Sequence, residues 1–187
     1  MFLVLLELSL QGYSRLTAGR FLFERMVIPI YAADADRCYK LKAGLAYRHR
    51  TNEYQVTYHA NEQGLRTDSH RRELPAQKRE NGVRILFLGP SFTFGWGNDY
   101  EDAYPTLSGS LLQEDGIDAE VVNLGTPGQP VSYKFCWLEN QGKLFQPDVI
   151  VQTVYGSVAN LASRCWRPDT CPTLKNGYLH RAEIVAK

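Results

Sequence analysis

The chain has 187 residues, 44% of them hydrophobic and 22% charged, with 21 Lys+Arg against 20 Asp+Glu and a formal net charge of +1. This excludes a disordered tail and suits one domain with an appendage. The near-neutral balance gives no electrostatic footprint for nucleic acid, and the short cluster His70-Arg71-Arg72, followed by Lys78-Arg79, reads as a solvated linker.

The N-terminal run MFLVLLELSL is apolar, but Glu7 interrupts it, and it reaches only about half of the ~20 apolar residues a membrane-spanning helix needs. No basic leader precedes it and no small-residue cleavage site follows, which argues against a signal peptide. Leu3, Leu6, Leu10 and Leu16 are spaced as in an amphipathic helix. Such a helix suits the exit end of a longer anchor, an interfacial position or a docking partner, so residues 1–33 are expected to meet a membrane protein or a membrane surface. This zone is expected to be helical with a break before Pro29, setting Arg15, Arg20, Glu24 and Arg25 against Phe21, Phe23, Met26 and Val27.

Residues 34–82 read as a β-like lead-in and linker. Tyr54–His59 alternates with period two and ends at the turn Asn61-Glu62-Gln63-Gly64, while Pro75–Gly82 is polar without a hydrophobic face. Residues 83–187 have strand–helix–strand rhythm. Strands are predicted at Val83–Leu88, Val121–Leu124 and Val149–Tyr155, with helices at Tyr104–Glu114 and Ser132–Gln141. Helices of about ten residues between strands argue for a parallel, doubly wound α/β sheet. Ligands of such sheets sit beyond the carboxyl ends of the strands.

Three strand ends carry the chemistry. Gly89-Pro90-Ser91 offers a hydroxyl and a backbone N–H. Gly125, within Asn123-Leu124-Gly125-Thr126-Pro127-Gly128, offers an N–H that a ligand can approach closely, and Gly156-Ser157 offers a third approach. A nucleophile with donors aimed at a developing oxyanion is what acyl transfer needs. For Ser91 the competing reading is a small residue in a tight strand-to-helix turn, an N-cap included. The aromatics Phe92, Phe94, Trp96 and Trp137 read as packing, and Asn123 as a loop hydrogen-bonding residue. Cysteines stand at 38, 136, 165 and 171 without zinc or redox spacing. In an oxidising compartment Cys165 and Cys171 can close a disulfide around a turn; otherwise all four are free thiols. No metal cluster and no cofactor motif is visible.

The block Gly89-Pro90-Ser91-Phe92-Thr93-Phe94-Gly95, continued by Trp96-Gly97 and Glu101–Pro105, resembles the opening block of the SGNH (GDSL-type) hydrolases. Val122–Gly128 resembles their second block. Asn61-Glu62-Gln63-Gly64-Leu65-Arg66 resembles a lead-in of extracytoplasmic, membrane-associated members. The likeness covers roughly residues 38–160. It implies a flavodoxin-like, three-layer α/β/α sandwich around a parallel sheet, C-terminally shortened here, with the chain a divergent or truncated member. It also implies Ser91 as nucleophile, with its own N–H and that of Gly125 in the oxyanion hole.

Departures from the pattern weigh against catalysis. The aspartate before the serine is Pro90. The Asn-Asp pair of the third block falls near Val158 and Ala159, so Ser157 or Asn160 would have to substitute; one lost oxyanion donor costs ~10²–10³ in turnover. The sole histidine after Ser91 is His180, without an aspartate three residues before it, and a serine without a base is a poor nucleophile. The expectation is an SGNH-hydrolase-like domain that is catalytically inactive. It would serve as a membrane-associated structural or accessory subunit of a larger complex on the periplasmic or extracytoplasmic side, without cofactor or nucleic acid. The alternative is a serine esterase or acyltransferase acting on acylated carbohydrate or a related ester, with His180 or a base from another chain.

Overall fold

The computed structural model describes residues 2–18, 28–70, 72–129, 131–154, 173–175 and 178–180. Helix α1 spans Phe2–Ala18. Its apolar residues are exposed in unbroken succession, Leu3 at 75% and Leu16 at 88%, while Gln11 and Ser14 are buried. At about 100° per residue, consecutive exposed positions 2 to 6 face all directions around the helix.

The helix predicted for residues 1–33 gives way by Tyr31. Strand β1 (Tyr31–Asp34) pairs antiparallel with β2 (Cys38–Leu41). The turn between them is closed by Asp34 Oδ1, which accepts the N–H groups of Asp36 (3.1 Å) and Arg37 (2.9 Å). A short aspartate turn and two buried tyrosines, Tyr31 and Tyr39 packed edge to face, outweigh the local helical pattern.

The main sheet has six strands in the order β3-β4-β5-β7-β6-β8. Strands β3 (Ala46–Arg50) and β4 (Gln55–Ala60) form a hairpin, whose turn is held by Thr51 Oγ1 accepting the N–H groups of Glu53 and Tyr54. Along β4 the predicted alternation buries Val56, Tyr58 and Ala60. Strand β5 (Arg66–Thr67) continues the sheet and meets β7 (Ala119–Asn123) through the single antiparallel pair Arg66↔Asn123. Strand β6 (Val83–Leu88) runs parallel to β7 on one side and to β8 (Val149–Gln152) on the other. The fold is therefore mixed α/β. The expected parallel sheet is found in β7-β6-β8, and the lead-in adds three antiparallel strands to it.

Alternation along β6 places Leu86 and Leu88 on one face with Val122, Leu124 and Trp137. Ile85 and Phe87 lie on the other face with Ala119, Tyr104 and Val121. Trp137 belongs to helix α4 (Val131–Asn140) and Tyr104 to helix α3 (Tyr104–Glu114). A third cluster joins Ile30, Tyr31, Tyr39, Leu41, Val56 and Tyr58 to Phe94, which lies in the one-turn helix α2 (Ser91–Phe94). Each such side chain contributes roughly 1.5–3 kcal/mol on full burial, so Phe94 couples the Ser91 turn to the lead-in. The linker before β6 is not loose. Fully buried Arg84 bonds Glu120 (2.6 Å) and the carbonyls of Ala76 (2.9 Å), Gln77 (3.2 Å) and Phe145 (2.6 Å). Strands β9 (Thr173–Lys175) and β10 (Tyr178–His180) form a separate hairpin, with β9 near β1.

Candidate active site at the strand ends

Strand β6 delivers the chain to Gly89, where a Cβ would collide with Thr93 Oγ1 and crowd Thr153, so only glycine fits. Pro90 occupies the N-cap position of α2, and its carbonyl accepts the Phe94 N–H at 3.0 Å. Ser91 is therefore the first helical residue and not the cap. Its carbonyl accepts the Trp96 N–H (3.0 Å), and Gly95 closes the turn at φ 78°. The Ser91 side chain is half-buried, and among the described residues its hydroxyl has no hydrogen-bond partner.

Behind the turn three hydroxyls converge. Thr93 Oγ1 lies 3.1 Å from Tyr104 Oη and donates to Thr153 Oγ1 at 3.0 Å, while Tyr104 and Thr153 stand 2.6 Å apart. They tie α2 to α3 and to the end of β8. Phe94 and Trp137 are core residues and Trp96 packs edge-on to His49 at 5.1 Å, as expected; Phe92 is 64% exposed.

The loop after β7 is held by a set of hydrogen bonds, although Gln129 Oε1 is buried without a partner. Buried Asn123 donates Nδ2 to the Thr93 carbonyl (2.8 Å) and accepts the Gly125 N–H on Oδ1 (2.8 Å). Gly125 is pressed against α2, where a Cβ would clash with the backbone of Thr93 and Phe94. The Thr126 N–H donates to the Gly89 carbonyl (3.0 Å), and Tyr31 Oη to that of Pro127 (3.2 Å). Gln129 Nε2 donates to the carbonyls of Arg37 (2.9 Å) and Tyr39 (2.6 Å). The β1–β2 ribbon thus covers this loop.

Beneath the loop lies Lys134, 1% exposed, donating to the Leu124 carbonyl (2.6 Å) and to Thr126 Oγ1 (2.8 Å). Burial pushes its amine well below the usual lysine range, and nearby Arg37 pushes the same way. Two acceptors match the two hydrogens of a neutral amine. Burial likewise raises the phenols of Tyr31 and Tyr39, keeping them as neutral donors.

The structure thus places Gly125 against the helix that Ser91 begins, with the Gly125 N–H engaged by Asn123. Ser157, Asn160, Cys165 and Cys171 lie outside the described residues. The backbone of His180 is in β10, paired with Thr173, and its side chain is likewise outside the description. Upstream, His49 Nδ1 sits 3.2 Å from Tyr58 Oη in the lead-in core. Cys38 is disulfide-bonded and Cys136 is a buried free thiol, so the four cysteines are not all free. Among the described residues no group of three or more His, Cys, Asp or Glu side chains is arranged to hold a metal ion. Sequence reasoning missed Lys134 and the Thr93–Tyr104–Thr153 cluster. A lysine among Phe135, Trp137 and Leu138 was the available signal for the first; the second joins residues too far apart in the chain to be read together. No protein-family model matches the chain, and no curated protein matches it.

Proposed function

We propose that this chain is an SGNH-like domain without hydrolytic activity, of three-layer α/β/α type, that serves as a membrane-associated structural or accessory subunit on the extracytoplasmic side. One observation carries the reading. The backbone N–H that an oxyanion would need on Gly125 is bound to Asn123 Oδ1 at 2.8 Å inside a buried clasp. An oxyanion hole works by presenting unengaged donors to the developing charge, and this donor is engaged. The Ser91 hydroxyl is also hydrogen-bonded to no base among the described residues. The membrane part rests on α1, whose apolar residues are exposed all round. No helix among the described residues is long and apolar enough to cross a membrane, so association through an interface or a membrane partner fits better than a span by α1 alone.

Two experiments test it. A fluorophosphonate probe should leave the folded protein unlabelled; labelling that vanishes in Ser91→Ala would make the chain a serine hydrolase or acyltransferase and overturn the inactive reading. Sedimentation with phospholipid vesicles should carry the protein down and release the Leu3→Asp/Leu6→Asp variant. Equal sedimentation of both would remove α1 as the contact.

A further inference from the structure

Helix α1 reverses the usual arrangement of a helix against a soluble body. Its buried residues are the polar Gln11 and Ser14, each 8% exposed, while its apolar side chains lie outside: Phe2 at 78%, Val4 at 62% and Leu8 at 63%. Glu7, Gln11 and Ser14 follow one another at i, i+4 and i+7, which makes them one narrow seam. Gln11 Nε2 donates to the Glu7 carboxylate along that seam. Apart from it, residues 2–10 present only apolar side chains and Ser9. The hydroxyls of α1 outside the seam are satisfied without water: Ser9 Oγ donates to the Leu5 carbonyl and Thr17 Oγ1 to that of Tyr13, both at 2.8 Å.

Burial begins only at Gln11, so the body holds the second half of α1 and the first half projects from it. A groove on a partner protein covers one side of a helix and would leave the rest of this apolar surface to water. A helix lying flat at the headgroup boundary sets an apolar stripe against a broad polar face, and residues 2–10 have no such face. Acyl chains surround a helix and meet every direction at once. The side chains that suit the headgroup level, Tyr13 and Arg15, stand at the other end of α1. Leu3 precedes Arg15 by twelve residues, about 18 Å along the axis, so in a hydrocarbon layer ~30 Å thick a steep helix would hold them at very different depths.

We propose that α1 stands steeply in the membrane, with Phe2–Leu10 surrounded by lipid acyl chains, Tyr13 and Arg15 at the headgroup level, and the Glu7–Gln11–Ser14 seam on the side of the protein body. The occupant of the exposed surface is lipid hydrocarbon and not a groove on another protein. This orientation presupposes the membrane association proposed above.

The test is NMR of the full chain labelled with ¹⁵N and bound to phosphatidylcholine bicelles, with trace lipid carrying a nitroxide either near the acyl terminus or on the headgroup. The expected result is a gradient along α1. The acyl nitroxide broadens the amides of Leu3 and Leu6 most and those of Arg15 and Thr17 least, and the headgroup nitroxide reverses the order. Leu3→Asp and Leu16→Asp, at positions 75% and 88% exposed, give a second readout. Leu3→Asp should weaken partitioning into phosphatidylcholine vesicles at least about tenfold more than Leu16→Asp, because a carboxylate costs most at depth. Broadening that repeats about every 3.6 residues with equal strength at both ends would mean a helix lying flat and overturns the proposal. Equal losses from the two variants also overturn it, as does a bicelle-bound protein whose α1 amides escape the acyl nitroxide. A chain that binds no phospholipid overturns the membrane association itself, an outcome distinct from these.

Discussion

The turn that carries Ser91 and the loop that carries Gly125 stand at the carboxyl ends of two neighbouring parallel strands, and they treat their polar groups in opposite ways. The loop engages many of its donors and acceptors, through Asn123, Lys134, Tyr31 and Gln129. The turn leaves one hydroxyl half-buried and without a partner. A preorganised anion site presents the reverse arrangement, with free donors on the loop and a bonded, oriented nucleophile on the turn. The contrast indicates that the loop after β7 acts as a fastening between sheet, α2 and ribbon.

The strongest way to break the comparison is Asn123→Ala. It strands the buried Gly125 N–H and Thr93 carbonyl together, and at about 1–3 kcal/mol for each unsatisfied group the loss should reach about 2–6 kcal/mol in urea unfolding. A loss below about 0.5 kcal/mol would mean that the clasp does not hold the loop. Next in size is Cys38→Ser. Cys38 opens β2, whose Tyr39 carbonyl accepts Gln129. Removing a native disulfide costs about 2–4 kcal/mol, and amide exchange over residues 125–129 should accelerate more than over 91–94. An unchanged melting temperature in reductant would separate ribbon from loop.

Lys134→Met sharpens the comparison through pH. Because burial lowers the native amine, the unfolded chain binds a proton that the native state does not. Wild-type stability should therefore rise with pH from the depressed native value toward the ordinary 10.5. The limiting slope for one such group is about 1.4 kcal/mol per pH unit, and the methionine variant should lose that contribution. Equal slopes for both proteins between about pH 7 and 9 would mean that Lys134 stays charged when buried. Smallest of all is Ser91→Ala, expected to change stability by no more than about 0.5 kcal/mol because no bond is lost. A drop above about 1 kcal/mol would reveal a partner for the hydroxyl.

Much of the α/β half was legible because its signals are local. The run VRILFL is a strand at its predicted bounds, and the helix Tyr104–Glu114, with Pro105 in its first turn, also agrees. The lead-in was legible only as β-like. That β3, β4 and β5 would join the main sheet depends on the single Arg66↔Asn123 pair, between residues far apart in sequence. Residues 31–33 were assigned to a helical zone broken before Pro29, because the partner strand and the Asp34 turn lie beyond the window of a helical pattern.

At the candidate site, the sequence by itself determined where chemistry was offered: glycines, a serine and an asparagine at strand ends, where apolar periodicity stops and the backbone must turn. Only the tertiary structure decided which of those groups remain available. Whether Gly125 can meet an anion depends on the Asn123 side chain, on α2 pressing against it and on a ribbon from residues 31–41 closing over the loop. Arg66 and Arg84 show the same division. Both lie in strands and packing buries both, but among the described residues only Arg84 has a carboxylate within salt-bridge distance. Periodicity reports burial, whereas the pairing of a buried polar atom is settled by neighbours that are distant in sequence, and its cost or benefit follows from that pairing.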